Sequence, residues 1–324
     1  MPPGSGNLFV SAQRILPGSS GTGSGMRTSG LGRRFSGEWL ERRYRERKVR
    51  SYLASFLLIA AAALALLPLF SVFAYVLMQG WPALNLAFFT ELPKPVGEIG
   101  GGMAHAILGT LILIGIASLI GIPWGVGVGV YLSEYGSGRL GRITRFATDI
   151  LASVPSIVIG LFAYTLVVVP MHRFSAIAGG LSLGLLMIPT IARSSEEILK
   201  LVPVHIREAG LALGLPRWKV ITRIVLRSSL GGLTTGVILA VARVAGETAP
   251  LLFTALNNRF WPSRLDQPTA SLPVQIYTYA IAPYDDWHRQ AWAGALVLVL
   301  LVFVINLGAR WTLGPMGARH GARE

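Results

Sequence analysis

Six apolar stretches, each long enough to cross a lipid bilayer, dominate this chain of 324 residues. A transmembrane helix needs roughly 20 mostly apolar residues to span the hydrocarbon core. The stretches that reach this length are 52–78, 104–132, 150–170, 174–192, 231–256 and 291–313. A composition of 52% hydrophobic and 14% charged residues also excludes an ordinary soluble globule. We therefore predict an all-α, polytopic integral membrane protein with six transmembrane helices.

The connecting segments and the ends of the chain complete this organisation. The longest internal connection, 193–230, leaves no room for a separate soluble domain. Residues 1–51 are predicted to form a tail that is Gly/Ser-rich and disordered to residue 37 and then basic, with the run 41–50 anchored at anionic lipid. Residues 52–313 form the membrane domain, and 314–324 form a short C-terminal tail.

Positive charge is concentrated on alternate connecting segments. Residues 1–51 hold ten of the 29 Lys and Arg residues and 193–230 hold seven, whereas the segment 79–103 holds one. Because Lys and Arg are retained in cytoplasmic loops, both termini are predicted to lie in the cytoplasm. This distribution explains the net charge of +14 without nucleic acid as a partner.

The fifth apolar stretch contains an arginine near its centre. A charged side chain at that depth costs roughly 2.5–3.5 kcal/mol on insertion scales. Glu247 follows Arg243 by four residues, so on one helix the two side chains lie within reach of an ion pair. Small residues such as Gly232 and Gly236 continue the same helical face. This face is expected to border protein or water instead of lipid.

Two interpretations of the Arg243 and Glu247 pair are open. One is a structural ion pair between helices, and the other is a substrate pathway in which the arginine meets an anion. We favour the pathway, because intramembrane ionisable residues usually have functions and a guanidinium presents a planar fork of donors to oxyanions. The hydroxyl of Thr248 is a third candidate, and Pro250 is expected to kink the helix. We predict no metal site and no catalytic residues.

The segment 196–230 is punctuated as two short helices. Pro203 suits a first helical position, Gly214 a C-terminal cap and Pro216 the start of the next helix. The spacing of Glu208-Ala209-Gly210, Gly214 and Ile224-Val225-Leu226 resembles the EAA loop of ABC importer permeases. The chain departs from that pattern at Gly210, where a second alanine is usual, and at Arg227, where proline is usual.

Further segments are similar to the PstA-type permeases of phosphate importers. They are GETAPLLFTAL after Arg243, GGMAHAILGTLILIG at 101–115, VYLSEYG at 130–136, PSIVIGLF at 155–162 and SLPVQIYTYA at 271–280. The resemblance implies a type I ABC importer permease fold with cytoplasmic coupling helices, in the bacterial cytoplasmic (inner) membrane. It also implies that Arg243 and Glu247 lie in the phosphate translocation path.

The same resemblance implies several partners. They are a sibling permease subunit, two ABC ATPase subunits and an extracytoplasmic phosphate-binding protein. The residues implied to contact the ATPase are Glu208, Ala209, Gly210, Gly214, Leu215 and Pro216. The chain has no Gly-x4-Gly-Lys-Ser/Thr phosphate loop, so we expect it to be a transport subunit without a cofactor, with ATP bound by the partner.

The residues alone leave other functions open. The cargo of such a permease is also consistent with molybdate, sulfate or phosphonate, and an ATP-independent anion channel or carrier is a different class of alternative. The roles of two structural features are open as well. Gly121, Gly125 and Gly129 form a smooth ridge for helix packing within this chain or against a sibling, and Ser153 and Ser156 are expected either to face the path or to bond the backbone.

Overall fold

The computed structural model describes residues 37–96, 98 and 100–318. The described residues are almost entirely helical, and one isolated antiparallel bridge joins Pro93 to Gly101. The chain forms two units, Met1–Leu66 and Leu67–Glu324. In the first unit, the described residues form the N-terminal part of one long helix. The second unit holds the other helices of the described residues and the core.

Fourteen α-helices follow one another along the described part of the chain. They are α1 (Gly37–Gly80), α2 (Leu86–Thr90), α3 (Ala104–Tyr135), α4 (Arg139–Ser153), α5 (Ser156–Ala163), α6 (Val169–Met171), α7 (Ala176–Lys200), α8 (Val204–Ala212), α9 (Arg217–Val220), α10 (Leu226–Ser228), α11 (Leu230–Ala245), α12 (Ala249–Thr254), α13 (Leu272–Ala280) and α14 (Asp285–Ala318). A 3-10 turn follows α1, and π-helical turns Tyr164–Val168 and Ile221–Val225 follow α5 and α9.

Four of these helices, α1, α3, α7 and α14, are long and apolar enough to cross a membrane. Two bent helix pairs bring the number to six if each pair is one span. The predicted all-α membrane fold is therefore confirmed. The helix α1 begins at Gly37, so residues 37–51, which we assigned to the tail, are helical and continuous with the first span. Residues 1–36 and 319–324 lie outside the described residues.

The third predicted span, 150–170, is not one straight helix. The helix α4 begins earlier, at Arg139, and ends at Ser153, and the chain then bends by 102° into α5. Val154 and Pro155 adopt extended backbone at the break. A proline disfavours helical geometry in the residue before it, which is why the break falls at Val154. The apolar run was predicted correctly, but the proline divides it into two helices that point in different directions.

The fifth predicted span, 231–256, is also broken. The helix α11 ends at Ala245, Gly246 to Thr248 are not helical, and the chain resumes as α12. The expected kink is thus present, but Pro250 is not its point of disruption. It lies in the first turn of α12, where no intrahelical N–H bond is required. The glycine at 246 ends the regular helix instead.

Glycines of α3 bring that helix close to α7. A Cβ atom added at Gly121 would lie 2.7 Å from Met187 Cβ, and one at Gly125 would lie 2.7 Å from Ile191 Cβ. Gly129 meets Ser195 in the same way. The predicted glycine ridge therefore packs within this chain. Together α3 and α7 form the central helix pair of the second unit.

The two short helices predicted in the segment 196–230 are present as α8 and α9. Pro203 and Pro216 each lie one residue before their helix, in extended backbone. Gly214 has a φ of +76°, a left-handed conformation that favours glycine at the end of a helix. The corner between α8 and α9 is therefore built by the residues that the sequence indicated.

Candidate functional site

A cleft lies where the break between α4 and α5 and the break between α11 and α12 meet α7. Its volume is about 230 Å³. Its lining comprises the turn between α4 and α5, one turn of α7 and two charged side chains: Leu151, Ala152, Ser153, Val154, Pro155, Ser156, Leu186, Pro189, Thr190, Arg243 and Glu247. Non-helical backbone in a membrane protein is tolerated where it is buried in protein or lines a water-filled cavity. Both interruptions, at Val154 and at Gly246, occur beside this cleft.

The structure brings two of the three predicted pathway residues together at the cleft. Arg243 is exposed in the isolated chain and Glu247 is half-buried. Thr248, the third candidate, lies immediately before α12, where its side chain makes no capping hydrogen bond, and it is not part of the cleft lining. Among the ion pairs of the described residues, none joins Arg243 to Glu247. The predicted four-residue spacing fails because Glu247 lies beyond the end of α11.

The small residues on one face of α11 pack against a neighbouring helix. A Cβ atom at Gly232 would lie 2.7 Å from Ile198 Cγ2, and one at Gly236 would lie 2.7 Å from Ser194 Cβ. These glycines therefore pack α11 against α7. Arg243 is exposed, and its guanidinium forms no ion pair with a carboxylate of the described residues.

Three hydroxyl side chains line the cleft, those of Ser153, Ser156 and Thr190. Ser153 Oγ donates a hydrogen bond of 2.7 Å to Ile150 O, which satisfies the hydroxyl at the end of α4. Ser153 and Ser156 both line the cleft, and Ser153 in addition bonds the backbone. Thr190, which follows Pro189 in α7, was not predicted as a lining residue. A hydroxyl next to an intrahelical proline was the signal in the sequence.

This arrangement can interact with an anion. A guanidinium without a carboxylate partner offers planar, paired N–H donors, and oxyanions accept them in a bidentate manner. Glu247 belongs to the same lining, and its negative charge disfavours deep retention of an anion. Arg243 lies in the last turn of α11 and Glu247 in the turn that follows it.

The predicted ATPase-contact residues divide into an exposed set and a buried one. Glu208, Ala209, Gly214 and Pro216 are exposed, and Leu215 is half-buried. Gly210 is buried, because a Cβ there would lie 2.9 Å from Ile224 Cδ1 and 3.0 Å from Val220 Cγ2. The glycine in place of the usual alanine thus faces the interior of the α8–α9 corner. The exposed surface of the corner is apolar as well as charged, since Leu213 is 81% exposed.

Comparisons with known proteins place this architecture in a class. The family model of the binding-protein-dependent transport system inner membrane component matches residues 121–313. In solved structures, a chain of a bacterial ABC transporter involved in the import of alginate superposes with a TM-score of 0.61 at 15% identity, covering 86% of this chain and 99% of that one. A chain of the MetNI methionine ABC transporter gives 0.57 at 20% identity, covering 66% and 95%. The fold is that of ABC importer permeases.

Curated relatives narrow the class. The phosphate transport system permease protein PstA of Yersinia pestis is 46% identical over 265 residues, 82% of this chain and 90% of that protein. The PstA of Haemophilus influenzae is 48% identical over 233 residues, covering 72% and 82%, and PstA 1 of Mycobacterium tuberculosis is 38% identical over 268 residues, covering 81% and 88%. The chain belongs to the PstA family of inner membrane permease subunits.

Proposed function

We propose that this chain is the permease subunit through which inorganic phosphate crosses the inner membrane, driven by ATP hydrolysis in a separate partner subunit. The cleft containing Arg243 and Glu247 is the observation that supports this function most directly. Its arginine has no carboxylate partner among the described ion pairs and lies next to an interrupted helix. The names of the curated relatives supply phosphate as the cargo.

The mechanism follows from where the charges are placed. Phosphate delivered from outside meets the guanidinium of Arg243, whose fork of donors matches two phosphate oxygens. Glu247, on the same lining, repels the anion and limits how long it stays. A weak contact is required here, because conduction needs binding that is favourable enough for entry and weak enough for exit. The exposed side of Arg243 faces a sibling permease subunit that completes the path.

The ATPase docks on the exposed surface of the α8–α9 corner. Glu208 supplies charge there, and Leu213 and Trp218 supply apolar area. An extracytoplasmic phosphate-binding protein delivers the cargo to the side that carries the segment 257–284. In this assembly both termini of the chain lie in the cytoplasm. The chain itself contributes neither a cofactor nor a catalytic group.

Uptake of radiolabelled phosphate tests this function. Cells that lack their own phosphate importer would express this chain with its sibling, ATPase and binding-protein partners. Phosphate uptake should depend on the chain, and excess molybdate, sulfate or phosphonate should not compete with it. Competition by one of those anions at equal concentration would assign the path to that anion. Uptake that persists without the ATPase subunit would instead indicate a channel or carrier.

A further inference from the structure

Arg207 of α8 joins three helices through one guanidinium. Its Nε and Nη2 atoms donate to Glu134 Oε1 of α3 at 3.0 and 2.8 Å. Nη2 also donates to Leu199 O of α7 at 2.8 Å, and Nη1 donates to Val202 O. The Glu134 side chain is 5% exposed and that of Arg207 is 18% exposed. One side chain therefore binds the end of α3 and caps the end of α7.

A second arginine strengthens the contact with the end of α3. Arg217, in the first turn of α9, donates from Nη2 to Glu134 O at 2.5 Å. Its guanidinium carbon also lies 4.5 Å from the ring centroid of Tyr135, which is cation–π distance. Each short helix of the α8–α9 corner thus supplies one arginine to the last turn of α3. We call Glu134, Tyr135, Arg207 and Arg217 the α3 clamp.

Neighbouring residues of α8 face opposite partners. Glu208 is exposed on the surface that we assign to ATPase docking, whereas Arg207 points inward to α3 and α7. Consecutive residues of a helix are about 100° apart around its axis, so one turn of α8 presents Glu208 to the docking surface and Arg207 to α3 and α7. A displacement of α8 by a docked ATPase is therefore passed on directly through Arg207. No flexible loop lies between the two contacts.

The helix pair that the clamp holds extends to the cleft. The close contacts at Gly125 and Gly129 bind α3 to α7 along their length, which makes the pair move as one body. Pro189 and Thr190 of α7 line the cleft beside Arg243. A shift of the α3–α7 pair therefore changes the wall that faces the guanidinium. A continuous path of packed groups runs from Glu208 to the cleft.

We propose that Arg207, acting with Glu134, is a positioning residue that couples ATPase movement at the α8–α9 corner to the α3–α7 helix pair. This inference rests on the proposed function. The role requires arginine, because its fork reaches a carboxylate and two carbonyls at once, whereas a lysine ammonium is a single point of charge. Loss of the clamp would leave the docking surface in place but loosen its link to the cleft.

The ratio of phosphate uptake to ATP hydrolysis in the reconstituted complex tests the proposal. In the Arg207→Ala complex the ATPase subunit should still co-purify, hydrolysis should continue, and uptake per ATP should fall about tenfold, a typical size for coupling between linked sites. Arg207→Lys should give a similar loss. Arg142→Ala is the control, since Arg142 is an exposed arginine of α4 with no ion pair among the described residues.

Each outcome decides the matter. An unchanged ratio for Arg207→Ala would overturn the proposal, and so would equal losses of uptake and hydrolysis in an intact complex, because those would indicate a merely structural role. If Arg207→Ala does not assemble, Glu134→Gln provides the same measurement with the shape of the side chain preserved. A Glu134→Ala and Arg207→Ala double variant should be no worse than the worse single variant, since both remove one contact.

A second measurement separates this inference from the proposed function. Amide hydrogen exchange of residues 204–212 in the purified full chain needs neither cargo nor ATPase. Arg207→Ala should speed exchange in α8 and in the last turn of α7, and Arg142→Ala should not. If the wild-type complex takes up no phosphate, the proposed function fails, but faster exchange would still support the clamp. Unchanged exchange would refute the clamp even where uptake is normal.

Discussion

Arg145 of α4 and Glu196 of α7 form a two-donor contact across the helix interface. Arg145 Nε and Nη2 donate to Glu196 Oε1 at 3.0 and 2.6 Å, and the glutamate side chain is 4% exposed. Lys200 Nζ donates to the same oxygen at 2.5 Å. The pair fixes α4 on α7, and α4 ends in the turn that lines the cleft. The position of that turn therefore depends on a charge contact some residues away.

Removing the Glu196 carboxylate should destabilise the protein. Glu196→Ala would leave Arg145 without its buried acceptor, and because that arginine is itself partly exposed we expect a loss of about 2 kcal/mol. Thermal unfolding in detergent measures the change as a lower Tm. Glu197→Ala is the control, because the Glu197 side chain is 70% exposed, and its effect should stay within about 0.5 kcal/mol. Equal Tm values for the two variants would contradict the assigned role of the pair.

The glycine packing of α3 against α7 predicts a contrast between two neighbouring glycines. Gly125→Ala should lower the Tm, because the new methyl would lie 2.7 Å from Ile191 Cβ and force the helices apart. Gly127→Ala should leave the Tm unchanged or raise it, since nothing lies within 4 Å of a Cβ there and alanine favours helix by about 1 kcal/mol. If both substitutions are tolerated, the two helices are not in close contact.

The sequence predicted the elements that depend on local chemistry. The apolar runs predicted the helices of the membrane domain. Gly214 and Pro216 predicted the α8–α9 corner, because a left-handed glycine and a proline at a helix start act within a few residues. Arg243 and Glu247 were recognised because a charge in an apolar run stands out without any tertiary information. These features need no knowledge of what lies across the fold.

The contacts between distant segments could not be predicted in the same way. The 102° bend at Val154 follows from Pro155, but its direction is set by packing on α7. Glu134 and Arg207 are 73 residues apart, and nothing in either neighbourhood identifies the other as its partner. The predicted pair of Arg243 and Glu247 failed because a regular helix was assumed through Gly246. Helical spacing places side chains only where the helix is continuous.

An aspartate in the segment between α12 and α13 gives a prediction about pH. Hydrogen bonds from Arg264, and then the charge of Arg173, lower the pKa of Asp266 below its ordinary value of 3.8. A lowered folded-state pKa contributes stability above that ordinary value, which is lost as the pH falls through the lowered pKa. The Tm should therefore decline less steeply with acidification below pH 4 in Asp266→Asn than in wild type. Identical slopes would exclude this contribution.

Substitutions at the two charged residues of the cleft should have different effects on transport. Arg243→Ala should reduce phosphate uptake by at least about 100-fold in assembled complex, because the anion loses its charged donor and about 2.7 kcal/mol or more of interaction. Arg243→Lys should retain part of the uptake, since it keeps the charge without the fork. Glu247→Gln should slow release rather than entry, which single-turnover uptake would resolve. Uptake by Arg243→Ala at the wild-type rate would leave only a structural role.

Chemical accessibility of position 243 is the most direct test of the central claim, that this side chain faces an aqueous path for anions. The chain has no cysteine, so Arg243→Cys introduces a single thiol. In the assembled complex a negatively charged, membrane-impermeant methanethiosulfonate should modify that thiol. Ile191→Cys, at a position with 0% exposure, is the control and should not react. Modification at position 243 no faster than at position 191 would contradict the account.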